Sequence, residues 1–434
     1  MPVGLAQVGR ADRIGEMRCK CGEVLPLIST QHESLRMQVW NRSDELAMHT
    51  LDPLYWCRLR TIVAFAIEPE RSSPDYFFDT KCASGAYNLS FPQQTSRGPV
   101  RELWNYYEQL AARLPSHGPG FSVAILRDGE TVFERHHGLA SLELNVPLSR
   151  DSAYYLASES KQFTAACIMA LVRDGLIGLD DDVCPHLPEL ARFEQAFPLR
   201  SLLNHSSGIP DYFQFLQCQL GRHEADYFNN DTILQLIARM DTVECPTQTG
   251  HRYSNSNYIL LAALVERLSG LSLTKYARKI LFEPLGIHRL GFDDDRFNVI
   301  AHRVFSYDVD PSRPFGYKQH LGNANTVGDG GIYGSIADLL RWEVEWHRQW
   351  SDKSSLLHAM LQRSPFLDGT VPDYRFGLEL THRFGQDVVF HSGGLWGFNT
   401  LIVRLPQSRT SIIHLANCED AGPEMDRILA AALA

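Results

Sequence analysis

The sequence is first narrowed by what it lacks. It has no excess of positive charge: 41 Lys and Arg stand against 51 Asp and Glu, a formal charge of −10, so the basic face of a nucleic-acid surface is not expected. No apolar run approaches the ~20 residues of a membrane span. Cysteine is sparse, with nine irregularly scattered residues, and an odd count of this kind argues against a disulfide framework. Cys19 and Cys21 form the one close pair, and no second pair or histidine cluster stands at zinc spacing. His32-Glu33 and His223-Glu224 lack the second histidine of a zinc protease. Gly328–Gly331 is followed by no Gly-Lys-Ser/Thr, so it is not a phosphate loop, and the G-x-S-x-G elbow is absent. The first thirty residues carry Asp12, Glu16 and Glu23 and no apolar core, so a secretory leader is not evident and a cytoplasmic setting is expected. No metal and no cofactor is expected.

What is present is an ordinary globular composition, 44 % hydrophobic and 21 % charged over 434 residues, enough chain for two or three domains. Residues 1–115 read as a separate N-terminal extension with poor periodicity. Its readable features are a strand-like run from Thr61 to Ile67, loops at Ser72–Asp75 and Gln93–Gly98, and an amphipathic helix from Arg101 to Leu114 with Leu103, Tyr106, Leu110 and Leu114 on one face. No task is assigned to it. Regular patterning begins at Phe121: a strand to Leu126, the hairpin turn Asp128-Gly129, and a returning strand. The middle, about 185–370, is mostly helical in pattern, including a helix from Asn257 that stops at Ser269-Gly270. Strands return at Val388–His391, Asn399–Leu405 and Ser411–Leu415, and a closing helix runs from Glu424 to Leu433. Asp180, Asp181 and Asp182 suggest turn capping rather than a metal. The expected fold is α/β (α+β): an antiparallel sheet built from 116–184 and 371–434, flanked by helices, with an inserted all-helical subdomain over about 185–370.

Three stretches carry chemistry. Ser158 and Lys161, three apart, open an apolar run from Phe163 to Val172 that ends at Gly175. In a buried helix this spacing puts hydroxyl and amine side by side. The helix start favours a developing alkoxide, and burial lowers a lysine's pKa toward that of a base. Ser158 is therefore the candidate nucleophile and Lys161 its partner. The plainer account is an N-cap serine followed by a surface lysine. Tyr253-Ser254-Asn255 precedes a helix and offers a phenol beside an amide for proton relay; the plainer account is a packed ring with Asn255 or Ser256 as cap. His391-Ser392-Gly393-Gly394 ends a short strand, Asp387–Phe390, whose glycines admit a close backbone and whose amides can face an oxyanion. The plainer account there is a glycine turn.

Together the three stretches resemble the motif set of the penicillin-recognising serine hydrolases, in the branch of class C β-lactamases, D-aminopeptidases, D-alanyl-D-alanine carboxypeptidases and esterases. Leu203–Pro210 resembles that branch's L-x-x-H-x-S-G-[LI]-P stretch, and Asn325–Trp342 its glycine-rich segment before a helix. The resemblance covers about 117–420, roughly 70 % of the chain, and implies a β-lactamase/transpeptidase-like fold for 116–434. It also implies roles. Ser158 would be acylated, Lys161 would take its proton, and Tyr253 would shuttle protons or activate water. Asn255 would bind the substrate amide, His391, Ser392 and Gly393 would line the substrate strand, and the amides of Ser158 and Gly394 would form the oxyanion hole.

One position departs from class C β-lactamases, which carry lysine where this chain has His391. Histidine is a poorer permanent cation, its unperturbed pKa lying near 6.5. D-aminopeptidases and esterase-like relatives are more similar there. The expectation is thus a cofactor-free serine hydrolase acting on an ester or a D-amino-acyl or peptide amide, with a small molecule or short peptide as its partner. A β-lactam hydrolase and a non-catalytic scaffold are the alternatives, and many relatives are periplasmic or secreted.

Overall fold

The computed structural model describes residues 15–18, 24–27, 99–218 and 226–433. The readings at Cys19 and Cys21, His32-Glu33, Thr61–Ile67, Ser72–Asp75, Gln93–Gly98 and His223-Glu224 lie outside these residues. The chain divides into Met1–Ser90 and Phe91–Ala434. In the first unit the described part is an antiparallel pair, Gly15–Arg18 with Val24–Leu27.

In the second unit, two-residue turns set the sheet. Asp128 and Gly129 both take positive φ (50° and 85°), the geometry whose twist matches flanking strands, and join β1 (Phe121–Arg127) to β2 (Glu130–His137). The C-terminal part adds β3 (Glu379–Arg383), β4 (Gln386–Leu395), β5 (Phe398–Leu405) and β6 (Thr410–Ala416). The antiparallel order is β3-β4-β5-β6-β1-β2, so the N-terminal hairpin completes a sheet begun by the C-terminal strands.

Side chains alternate across this sheet. Phe121, Val123, Ile125, Leu401, Val403 and Ile412 face one side, where α1 (Pro99–Arg113) and α5 (Met425–Leu433) cover them. By its sequence pattern α1 falls in the extension 1–115. It instead carries Leu103 and Tyr107, both fully buried, into this layer beside Ile428 and Leu429. An amphipathic helix of this kind is stable only where its apolar stripe is covered.

Ala124, Ile402, Ile413 and Leu415 face the other side, toward α2 (Ser160–Arg173), α3 (Asn255–Ser269) and α4 (Ile336–Gln349). Every residue of α2 from Ser160 to Leu171 is buried, as its all-round apolar pattern requires. Although α4 falls in the 185–370 segment, it lies on the sheet, where Glu343 pairs with Arg404 and His347 with Ser411. Short strand pairs interrupt the helical part; in one of them Ile332–Gly334 lies between Tyr154–Tyr155 and Gly291–Phe292. Asp180, Asp181 and Asp182 diverge to Arg200, the Gly178 amide, and the Cys184 and Phe197 amides.

Candidate active site

Ser158 occupies a 3-10 turn, Ala157–Glu159, that leads into α2. Ala157 is held at φ 49°, a left-handed conformation that non-glycine residues adopt at a cost and that recurs at functional turns. Glu159 stands at the N-cap of α2 without a side-chain cap bond, so the capping account of Ser158 does not describe this turn. Lys161 is fully buried, so the surface-lysine account fails as well. Its Nζ donates to Ser158 Oγ (3.0 Å), to Asn255 Oδ1 (2.8 Å) and to the Asp329 carbonyl (2.6 Å). All three ammonium protons are thereby used, as a buried charge requires. Burial pushes the Lys161 pKa down to about 8, against the opposing pull of Asp329 and Asp211.

Each partner is delivered by a different element. Asn255 opens α3, and its amide is oriented at both ends: Oδ1 toward Lys161, and Nδ2 donating to Asp211 Oδ2 (2.8 Å). The expectation that Asn255 meets a substrate amide thus coexists with a tie to the lysine. Asp329 lies in the glycine-rich segment, where Gly328 sits at φ 115° and a Cβ would lie 2.4 Å from the Tyr258 carbonyl. The fit of that segment to the helices holds the Asp329 carbonyl over Lys161. Thr164, one turn along α2, donates to the Gly328 carbonyl (2.7 Å).

Tyr253 precedes α3. Lys161 Nζ lies 5.0 Å from its ring centroid, and the ring packs on His205 at 4.2 Å between centroids. The residue is 40 % exposed, with its ring between Lys161 and His205. Desolvation there raises the phenol pKa and the Ser158 contact opposes it. His205, from the Leu203–Pro210 stretch, is fully buried and accepts the Ser254 amide on Nδ1 (3.2 Å).

The strand β4 runs past His391–Gly394 to Leu395 and turns at Trp396-Gly397, so the motif lies inside a strand and does not end one. The ladder to β5 holds that stretch extended through Leu395, whereas pairing with β3 stops at Phe390. The outer edge from His391 to Leu395 is therefore unpaired by strands among the described residues. Ser392 and Gly394 are exposed on it and Gly393 is buried. A Cβ on Gly393 would lie 2.2 Å from the Leu156 carbonyl and 3.1 Å from the Ser158 amide, so glycine is what lets this strand press against the nucleophile turn.

His391 is buried, 4 % exposed. Its Nδ1–H donates to the Ser392 carbonyl (2.6 Å), which leaves Nε2 to accept from the Tyr374 hydroxyl (3.0 Å). Burial, with the Lys161 charge acting the same way, pushes its pKa down to about 3, so the ring is neutral. Among the neighbouring aromatics, Tyr212 and Phe398 are core residues and Trp396 packs on Tyr155. The sequence reading missed Asp211, Asp329, Tyr374 and the packing role of His205.

The beta-lactamase family model matches residues 107–434. The chain belongs to the beta-lactamase family. A D-aminopeptidase of Gluconobacter oxydans (strain 621H) is 28 % identical over 325 residues, covering 75 % of this chain and 60 % of that protein. Penicillin-binding protein 4* of Bacillus subtilis (strain 168) is 28 % identical over 344 residues, covering 76 % of this chain and 75 % of that one. The chain thus spans about 60 % of the length of the D-aminopeptidase relative. The octameric penicillin-binding protein homologue from Pyrococcus abyssi shares the fold, with a TM-score of 0.65, 24 % identity and 77 % of each chain covered. Among the described residues no helix is long and apolar enough to cross a membrane. The β-lactamase/transpeptidase-like fold expected from the motifs is the one observed.

Proposed function

We propose that this chain hydrolyses D-amino-acyl amides or short esters through an acyl-enzyme on Ser158. The observation that carries the reading is the three-point grip on Lys161. A neutral amine has two N–H groups and one lone pair. Asn255 Oδ1 and the Asp329 carbonyl can only accept, so they hold the two N–H groups. The lone pair is left for Ser158, the one partner with a proton to give. A pKa of about 8 makes that neutral form accessible near neutral pH.

In the proposed reaction Ser158 Oγ bonds to the substrate carbonyl carbon as its proton passes to Lys161. The resulting oxyanion is placed between the amides of Ser158 and Gly394. Collapse breaks the C–N or C–O bond, and the leaving amine or alcohol takes a proton through Tyr253 from Lys161. Water then bonds to the acyl carbon as it gives a proton to the same pair, the C–Oγ bond breaks, and that proton passes to Ser158 Oγ as the carboxylic acid leaves. The unpaired edge of β4 offers backbone groups to an extended substrate. Because His391 is neutral and hydrogen-bonded, that position supplies no fixed cation for a substrate carboxylate. Amides and esters that lack a carboxylate are therefore favoured over D-Ala-D-Ala peptides and β-lactams, and the D-aminopeptidase among the relatives supports the same preference.

The test is a panel of D-amino-acid amides, p-nitrophenyl esters, D-Ala-D-Ala peptides and a chromogenic cephalosporin, combined with fluorophosphonate labelling read by mass spectrometry. Turnover of amides and esters, with a single adduct on Ser158, is expected. Equal ester hydrolysis by wild type and Ser158→Ala would refute the reading, and cephalosporin turnover exceeding that of the amides would reverse the substrate preference.

A further inference from the structure

Asp211 and Tyr212 are consecutive residues with no assigned part in the chemistry, yet each bonds the side chain of one of the two residues whose carbonyl oxygens grip Lys161. Asp211 Oδ2 accepts both the side-chain Nδ2–H (2.8 Å) and the backbone N–H (3.3 Å) of Asn255. Tyr212, fully buried, donates its hydroxyl to Asp329 Oδ2 (2.7 Å). The dipeptide is itself pinned to the first turn of α3, since the Tyr212 amide donates to Ser256 Oγ (3.0 Å), which donates to the Pro210 carbonyl (2.7 Å).

We propose that Asp211 and Tyr212 are positioning residues, a clamp that fixes the Asn255 and Asp329 carbonyl groups and so aims the lone pair of Lys161 at Ser158. An amide is nearly symmetric in shape. Oδ1 and Nδ2 of Asn255 are nearly the same size, so packing alone does not choose between two orientations. Turned over, Asn255 would present N–H groups to Lys161, and donor would meet donor. A carboxylate only accepts, so Asp211 at the far end permits one orientation. The simpler role for Asp211, capping the helix Tyr212–Cys218 through Oδ1 and the Phe213 amide (3.0 Å), uses the other oxygen and leaves this one unexplained.

This inference rests on the reading of Ser158 and Lys161 given above. Its test is the pH dependence of acylation, measured from the p-nitrophenyl acetate burst in the full chain, for wild type, Asp211→Asn and Tyr212→Phe. An amide at 211 has one oxygen for two tasks and no charge. Acylation in Asp211→Asn is expected to fall about 100-fold, the size associated with a small misplacement of a catalytic group. Its acid limb should also move to lower pH, because an anion that favours the ammonium has gone. The limb shift reports the lost charge alone, so the fall in rate on the plateau above the limb is what reports the misplaced amide. A plateau rate within about twofold of wild type overturns the clamp. Tyr212→Phe keeps the buried ring and should lower acylation about tenfold at unchanged KM; it decides the matter if Asp211→Asn does not fold, and an unchanged rate there counts against the clamp. Fluorophosphonate labelling separates the two levels. Absence of a Ser158 adduct in wild type would refute the proposed function, whereas wild-type labelling rates and limb in both variants would refute only the clamp.

Discussion

Lys161 and Gln162 are neighbours on α2 and both are fully buried, yet they enter polar clusters of opposite construction. Gln162 belongs to a closed network. Its Oε1 accepts from Arg404 Nη2 (2.8 Å) and Trp342 Nε1 (3.0 Å), and its Nε2 donates to Glu159 (2.8 Å). Arg404 also grips Glu343 through two bonds of 2.8 and 2.7 Å, and Glu159 accepts the Ile402 amide (2.7 Å). The Arg404 and Glu343 side chains are 3 % and 0 % exposed, so this charge pair is sealed between sheet and helices. The Lys161 cluster instead ends at two groups that reach solvent, the half-buried Ser158 and the partly exposed Tyr253. One cluster holds opposite charges facing each other and gives no proton a route out. The other surrounds a single amine with neutral acceptors and one hydroxyl, so a proton can move. Position along one helix thus separates a structural use of buried charge from a chemical one.

The comparison breaks most sharply at the nucleophile. Ser158→Ala is expected to lower kcat by roughly ten-thousand-fold or more with an unchanged melting profile; activity within about tenfold of wild type would remove the chemical role from this cluster. Next comes Lys161→Met, with an expected loss of about a thousand-fold. The wild-type rate should rise with pH through about 8 and then level off, since the neutral amine is the active form and burial has brought its pKa there. A flat profile from pH 6 to 9 would contradict this assignment.

The closed cluster should respond in the opposite sense. Glu343→Ala strands the buried Arg404 guanidinium and is expected to cost about 3–5 kcal/mol of stability, read by denaturant titration, with the pH limb of the folded enzyme unmoved. A shifted limb would show that the clusters are coupled through Glu159. The smallest effect is expected at His391. With its pKa pushed down to about 3, no inflection near pH 6.5 should appear in kcat/KM. An inflection there that His391→Asn abolishes would show a titrating imidazole.

Much of this was legible in the linear chain, and the exceptions have physical causes. The Asp128-Gly129 hairpin, α2 and α3 were readable because turn geometry and helical periodicity are local properties. The pattern at His391–Gly394 looks like a strand end because two adjacent glycines lack side chains to sustain an alternation. The ladder from Phe398 to Leu405 supplies what the pattern lacked. The helix α1 was separated from the domain because the sheet face that covers it is made by strands up to about three hundred residues away. Asp211 and Asp329 escaped notice for a related reason: an isolated acid in a loop has no spacing signal, and their value comes from the amide or carbonyl each one fixes.

The sequence alone determined the chemical kinds at the site, the local elements that carry Ser158, Lys161, Tyr253 and Asn255, and the family likeness those motifs share, since each depends on residues within a few positions of one another. Only the tertiary structure decided that Lys161 is buried with three acceptors, that His391 is a neutral ring bound to Tyr374, and that Asp211 and Tyr212 back the lysine's partners. Those properties arise where chain segments 17 to 168 residues apart exclude water from a shared space, and desolvation and long-range hydrogen bonds leave no trace in local spacing.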